Sequence, residues 1–207
     1  TTVQVDLNNI NRLPKETDVT MSFYNSKSNK LMHTYTHTLN RNQLPDTFAL
    51  DPIYTYKMVV HTVPEVVVDN IKLIPGRHNT IVAQTPQGIL KLSTQGSNSQ
   101  FTGINVIVRK ENEYKTINIH KMNSEKEYLL GKYDLEMHTL PRIYFEDVEI
   151  KQSKTTEITI PLYGSVQISK GNGPASLFLK DKGQNIWIYD FDNFRYIENL
   201  NLQPGKY

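Results

Sequence analysis

One stretch of this chain is written twice. Residues 56–73, YKMVVHTVPEVVVDNIKL, and residues 133–150, YDLEMHTLPRIYFEDVEI, align without a gap at a constant offset, 133 − 56 = 77. Tyr56, His61, Thr62 and Pro64 fall on Tyr133, His138, Thr139 and Pro141. Most remaining positions exchange one apolar residue for another, such as Met58 for Leu135, Val63 for Leu140 and Val68 for Phe145. Self-similarity at a fixed period governs the fold before any local signal does, because each period has to be one structural unit.

The repeat extends both ways. Thr85–Ser93 falls on Pro161–Ser169 after a one-residue deletion, and each segment is a Gly turn followed by an alternating strand. Thr2–Leu7 shares the alternation of Ser165–Ser169 and opens a first copy. Gly205-Lys206-Tyr207 matches Gly131-Lys132-Tyr133, so the last residues read as the start of the strand that heads the motif, with a third copy begun. The expected domains are residues 1–87, 88–163 and an incomplete 164–207.

The periodicity within each copy is that of strands. Ala occurs three times, and no window carries an apolar i, i+3, i+4, i+7 stripe free of Pro, Gly or β-branched runs. Strands are predicted in the first copy at residues 3–7, 19–24, 31–39, 56–62, 70–74 and 80–85. In the second they are predicted at 89–94, 104–109, 114–120, 132–139, 148–151 and 157–162, and in the third at 165–169, 176–180, 185–191 and 195–200. Short strands between polar turns such as Asn25–Lys30 and the Pro75-Gly76 dipeptide specify an all-β fold: tandem small antiparallel β-sandwiches, Ig-like or transthyretin-like, of about 77–86 residues each. In residues 133–139 the alternation assigns Tyr133, Leu135, Met137 and Thr139 to the core and Asp134, Glu136 and His138 to solvent. By that register a charge at Leu135 is costly and one at Glu136 nearly silent.

Charge narrows the function. With 23 basic and 21 acidic residues the net charge is +2, which supplies no electrostatic footprint for nucleic acid. No apolar run reaches the roughly 18 residues of a membrane helix. The absence of cysteine excludes disulfides, thiolate metal sites and a cysteine nucleophile.

The Gly-x-Tyr-x-apolar-x-apolar strand at Gly131, the Pro-bearing loop, the Val148-Glu149-Ile150 strand and the Thr-rich alternation that follows resemble the carboxypeptidase-regulatory-like and PEGA modules. Those are transthyretin-like seven-stranded sandwiches strung in tandem on bacterial surface proteins. The Thr-x-Pro loop and the Thr85–Leu90 run look similar to repeats that follow a von Willebrand factor A domain in Bacteroidetes proteins. The resemblance spans essentially the whole chain and rests on structural motifs. It implies a non-catalytic spacer or interaction platform in an exported bacterial protein, with no cofactor. The implied partner is a protein or a neighbouring domain of the parent chain, with carbohydrate as an alternative ligand. The first copy departs from the pattern, since Asp51-Pro52-Ile53-Tyr54-Thr55 stands where a Gly-x pair precedes the Tyr.

Candidate chemistry is sparse. His61 and His138 recur at one repeat position, which points to a structural job beside the Thr-x-Pro loop. His33 and His37 lie about 13 Å apart along a strand, too far to chelate one metal. Asp190-Phe191-Asp192-Asn193 has alternating oxygen groups yet lacks the Gly and distal Glu of a calcium loop, and reads as a turn. Glu146-Asp147 and Asp69-Asn70 occupy equivalent loop positions and form no acid–base pair. The remaining candidate is residues 186–196, with five aromatic residues including the only Trp. Alternation puts Trp187, Tyr189 and Phe191 on one strand face, either as core or junction packing, or as an open platform for a sugar ring or a peptide.

Overall fold

A strand that is apolar on one face must bury that face, and the alternating segments do so by pairing into two facing sheets per copy. The computed structural model describes residues 1–7, 18–95 and 104–207. In the first copy, β1 (Thr2–Leu7), β4 (Thr47–Ala49) and β7 (His78–Ala83) form a sheet in the order β4-β1-β7. β2 (Val19–Asn25), β3 (Leu31–His37), β5 (Thr55–Val60) and β6 (Val66–Lys72) form the other, in the order β3-β2-β5-β6. The second copy repeats both orders. β8 (Gln87–Thr94), β11 (Ser124–Leu129) and β14 (Thr155–Ile160) run β11-β8-β14. β9 (Asn105–Lys110), β10 (Thr116–Lys121), β12 (Gly131–Met137) and β13 (Ile143–Ile150) run β10-β9-β12-β13. The third copy contributes β15 (Gly164–Ser169) paired with β18 (Ile197–Leu202), and β16 (Ser176–Asp181) paired with β17 (Gln184–Asp190). The chain is a tandem array of all-β sandwich repeats. In the first sheet β1 runs antiparallel to β4 and parallel to β7, Thr2 opposite His78 and Leu7 opposite Ala83.

By proximity the chain forms two compact units, one of Thr1–Ile89, Glu127–Gly131 and Ile150–Thr155, the other of Leu90–Lys126, Lys132–Glu149 and Thr156–Tyr207. In the first unit, Val3, Val5, Leu7 and Ile81 from one sheet meet Met21, Phe23, Tyr56, Met58 and Val60 from the other. Phe23 is central, edge-on to Tyr35, Phe48 and Tyr56 at centroid distances of 5.9, 5.5 and 6.3 Å. Gly88 is required by a close approach, since a Cβ there would lie 2.2 Å from the Lys151 carbonyl oxygen.

The strand assignments from sequence hold to within two residues at either end for most elements and miss by more for two. β6 and β13 begin four and five residues earlier than predicted, at Val66 and Ile143 in place of Asn70 and Val148. The Asp69-Asn70 and Glu146-Asp147 pairs accordingly lie within strands, not in loops. Asn70 and Asp147 both take a left-handed φ, 57° and 56°. At Asn70 the register slips between Tyr56 and Met58, the mark of a β-bulge, and Asn and Asp tolerate that conformation better than most residues. Two strands, β4 and β11, have no counterpart in the prediction. β4 has three residues, and β11 carries Glu125, Lys126 and Glu127 on an edge, where charge discourages pairing with other chains.

The register of β12 is as predicted, with Tyr133, Leu135, Met137 and Thr139 buried, but Glu136 is not the exposed residue expected. It is 6% exposed, with its Oε2 2.7 Å from Arg109 Nη1 and its Oε1 bonded by Arg142. Burial pushes the Glu136 carboxyl up, and the hydrogen bonds from the two guanidinium groups outweigh it, leaving it below the usual range. Val59 stands at this position in the first copy and is also buried. Glu136→Lys is therefore expected to cost about 2 kcal/mol, less than a fully buried broken pair because Arg142 is half exposed. Glu136→Val should cost less, on the order of 1 kcal/mol, because Val59 shows that the position accepts an apolar side chain while Arg109 and Arg142 still lose their partner. Thermal melts of the two variants check this, and a Lys variant as stable as the parent would contradict it.

Candidate functional site

The loop after β5 and the loop after β12 are built alike from their own residues. Thr62 Oγ1 donates to the Pro64 carbonyl at 2.6 Å, and Thr139 Oγ1 donates to the Pro141 carbonyl at 2.7 Å. Both X–Pro bonds, Val63-Pro64 and Leu140-Pro141, are cis. The hydroxyl satisfies a carbonyl that the turn takes out of the sheet, so Thr recurs here for a local reason. The carbonyl of the middle residue is left facing outward as an acceptor.

Each of these acceptors is used by the copy that follows. Within the first compact unit, the Leu129 N–H at the end of β11 donates to the Val63 carbonyl at 2.8 Å. Within the second, the Gln203 N–H just after β18 donates to the Leu140 carbonyl at 2.8 Å, and Leu140 forms a parallel bridge with Leu202. The Leu140 side chain packs against the apolar cluster of Phe191, Leu200 and Leu202 in the third copy. β11 and β18 are the same strand of successive copies, so one donor–acceptor geometry occurs twice.

The paired histidines differ from one another. His61 sits between the Ser22 hydroxyl, 2.8 Å from Nε2, and the Glu65 carboxylate, 2.7 Å from Nδ1. The positions equivalent to Ser22 and Glu65 in the second copy are Ile107 and Arg142, so His138 meets neither group there. What the two share is the backbone bond to β2 or β9, from His61 N–H to Thr20 and from His138 N–H to Asn105. Of the other histidines, His37 is buried with Nε2 3.0 Å from the Val5 carbonyl, and His33 stacks on Tyr35. Among the described residues no three His, Asp or Glu side chains converge to hold a metal ion.

The aromatic run does not lie on one face. Leu177 pairs with Tyr189 and Phe178 with Trp187, so Ile188 is an extra residue on β17. The same slip occurs at Met32 of β3 and Ile117 of β10, opposite Tyr24 and Arg109. A bulge of this kind turns the side chains on either side of it to opposite faces. Tyr189 and Phe191 turn inward, edge-on at 5.4 Å, into the cluster with Leu200 and Leu202. Tyr189 Oη donates to Glu198 at 2.7 Å, whose other oxygen accepts the Asp192 N–H. That hydrogen bond, with burial, pushes the Tyr189 hydroxyl up. Trp187 stands apart at 56% exposure, opposite the exposed Phe178. Its Nε1–H donates to Asp190 Oδ1 at 2.8 Å, the same oxygen that takes the Ser176 hydroxyl at 2.6 Å. These two donors hold the Asp190 carboxyl below its usual range. Asp192 Oδ1 accepts the Phe194 N–H, which is turn chemistry. Phe178 was invisible to the sequence reading because the bulge that brings it opposite Trp187 leaves no mark in the alternation.

On the outer side of β9, β12 and β13, a cleft of about 410 Å³ is lined by Arg109, Tyr114, Asp134, Glu136, Tyr144 and Glu146. Its central charges are already engaged, Glu136 by both arginines and Asp134 by the N–H groups of Asn112 and Asp147. A test of the aromatic geometry is optical, since there is a single Trp. Its emission should be that of a hydrated indole, quenched freely by acrylamide. A blue-shifted, quencher-resistant emission would contradict the placement of Trp187.

No family model and no curated protein matches the chain. Solved structures similar to it include the TIE protein of Bacillus anthracis, at 11% identity and a TM-score of 0.31, covering 77% of this chain and 33% of that one. A streptococcal ancillary pilin is similar at 12% identity and a TM-score of 0.24, over 98% of this chain and 86% of that one. Two B repeat units of the collagen-binding protein of Staphylococcus aureus are similar at 15% identity and a TM-score of 0.20, over 99% of this chain and 69% of that one. The chain spans about a third of the length of the first, and likeness at this level carries no residue, ligand or partner across.

Proposed function

We propose that this chain is a non-catalytic spacer of an exported bacterial protein, in which each β-sandwich copy is fastened to the next through its Thr-x-Pro loop. The observation that carries the reading is the repeated backbone bond, Leu129 N–H to Val63 and Gln203 N–H to Leu140, each at 2.8 Å. A main-chain bond does not depend on the identity of either side chain, so one device serves junctions whose residues differ. Leu140 adds an apolar contact where Leu202 and Phe191 are buried. In an array of this type each unit contacts its neighbours in sequence, and interface energy adds to the intrinsic stability of each small domain. The three copies divide at residues 1–87, 88–163 and 164–207 in this reading, and the parent protein carries the von Willebrand factor A neighbour that the sequence resemblance implies.

A second reading, a carbohydrate- or peptide-binding module, is favoured by Trp187 alone. Its indole is exposed and held by Asp190, an ordered apolar face beside a carboxylate. Tyr189 and Phe191 do not share that face, so the platform in this reading is Trp187 with Phe178.

The spacer reading is tested by small-angle scattering of the 207-residue chain and of Leu140→Asp. The parent should give a narrow distribution of maximum dimensions and the variant a broader one. A parent that scatters as freely jointed beads would overturn the reading.

A further inference from the structure

We infer that the end of the first copy formed by residues 50–54 and 73–76 is a docking surface for the Thr-x-Pro loop of a further repeat of this kind, linked ahead of the first copy. The inference rests on the spacer reading and extends it to a surface that no part of this chain covers among the described residues.

The equivalence of Asp51 with Gln203 carries it. Tyr207 Oη donates to the Gln203 carbonyl at 2.6 Å, and Tyr56 Oη donates to the Asp51 carbonyl at 3.0 Å. The preceding residues, Leu202 and Leu50, are both buried, and each lies opposite the residue that opens its copy, Gly164 or Thr1. The strand that pairs there has the same sequence pattern, Val3-Gln4-Val5 in one copy and Val166-Gln167-Ile168 in the other. The Gln203 N–H is given to the Leu140 carbonyl of the copy before it. Among the described residues, none accepts from the Asp51 N–H.

Around that N–H the first copy exposes apolar side chains on fixed loops. Ile53 is 79% exposed, Ile74 57% and Tyr54 38%. Asp51 Oδ1 takes the Ile53 N–H at 3.0 Å. Asn79 takes the Ile74 N–H at 2.8 Å and donates to the Ile74 and Arg77 carbonyls at 3.2 and 3.0 Å. Both loops are tied to Thr1, through Leu50 N–H to its carbonyl and Gly76 N–H to its hydroxyl, and Thr55 pairs with Lys72 beside them. Loops fixed beforehand lose little entropy on binding, which suits them to a preformed partner.

Continuity with the two internal junctions names the occupant. In both, the incoming loop presents an outward carbonyl on an apolar residue, Val63 or Leu140, flanked by Thr and Pro. Both of those loops are engaged inside this chain, so a second molecule of it has no such loop to offer. In both, the loop also precedes its socket in the polypeptide, which places the occupant ahead of Thr1.

The test compares the 207-residue chain with the same chain preceded by an added copy of residues 1–87, which is in register because Thr1 is equivalent to Gly88. Hydrogen exchange read by mass spectrometry, with Ile53→Val in the added copy to tell its peptide from that of the original, should slow by about tenfold or more over residues 50–55 of the original copy, and Val63→Asp in the added copy should abolish the effect. The Leu129 and Gln203 amides serve as internal references in both proteins. Residues 50–55 exchanging equally in both, with the references protected, would overturn this inference and leave the spacer reading standing. Unprotected references would overturn both. Should the added copy fail to fold, Ile53→Asp in the 207-residue chain decides. Its melting temperature should equal that of the parent, and a marked fall would show the patch already packed and overturn the inference.

Discussion

A backbone carbonyl that leaves its sheet must find another donor or water, and in this chain that constraint organises the junctions. The residue between Thr and Pro has its carbonyl directed away from the loop, because the Thr hydroxyl is spent on the Pro carbonyl. The next copy supplies the missing N–H at both places. The Pro cannot donate, the Thr closes the turn, and the middle residue needs only to be apolar, which is the pattern of Val63 and Leu140. Once the loop is closed in this way, the strand that follows it and the socket it enters are both positioned by main chain.

That economy explains why the repeat was legible. Tyr, Thr and Pro each perform a task that only that residue type performs at that place: Tyr56 and Tyr207 reach back to a carbonyl at the strand entry, Thr closes the turn, and Pro shapes it. The apolar residues between them exchange freely because they only fill volume. The copies therefore agree in a few polar positions and in period, and diverge elsewhere.

What stayed hidden has physical reasons too. A β-bulge inserts one residue without changing composition, so Ile188 redirects Trp187 away from Tyr189 with no trace in the alternation. The same bulge in β3 and β10 could have been found only by knowing which residues pair across the hairpin. β11 was hidden because Glu125, Lys126 and Glu127 show no apolar alternation, whereas the edge of a sheet accepts such charges. Glu136 was assigned to the correct face, but the two arginines that cover it come from β9 and from the loop after Pro141, a convergence that only the tertiary fold defines.

The central claim is that main-chain hydrogen bonds join successive copies, and it can be observed directly. Scalar coupling across a hydrogen bond, measured by NMR on the deuterated, isotopically labelled chain, should connect the Leu129 nitrogen with the Val63 carbonyl carbon and the Gln203 nitrogen with the Leu140 carbonyl carbon. Both couplings present would establish the junction as described. Both absent, with the Leu129 and Gln203 amides exchanging as fast as solvated loop amides, would contradict it.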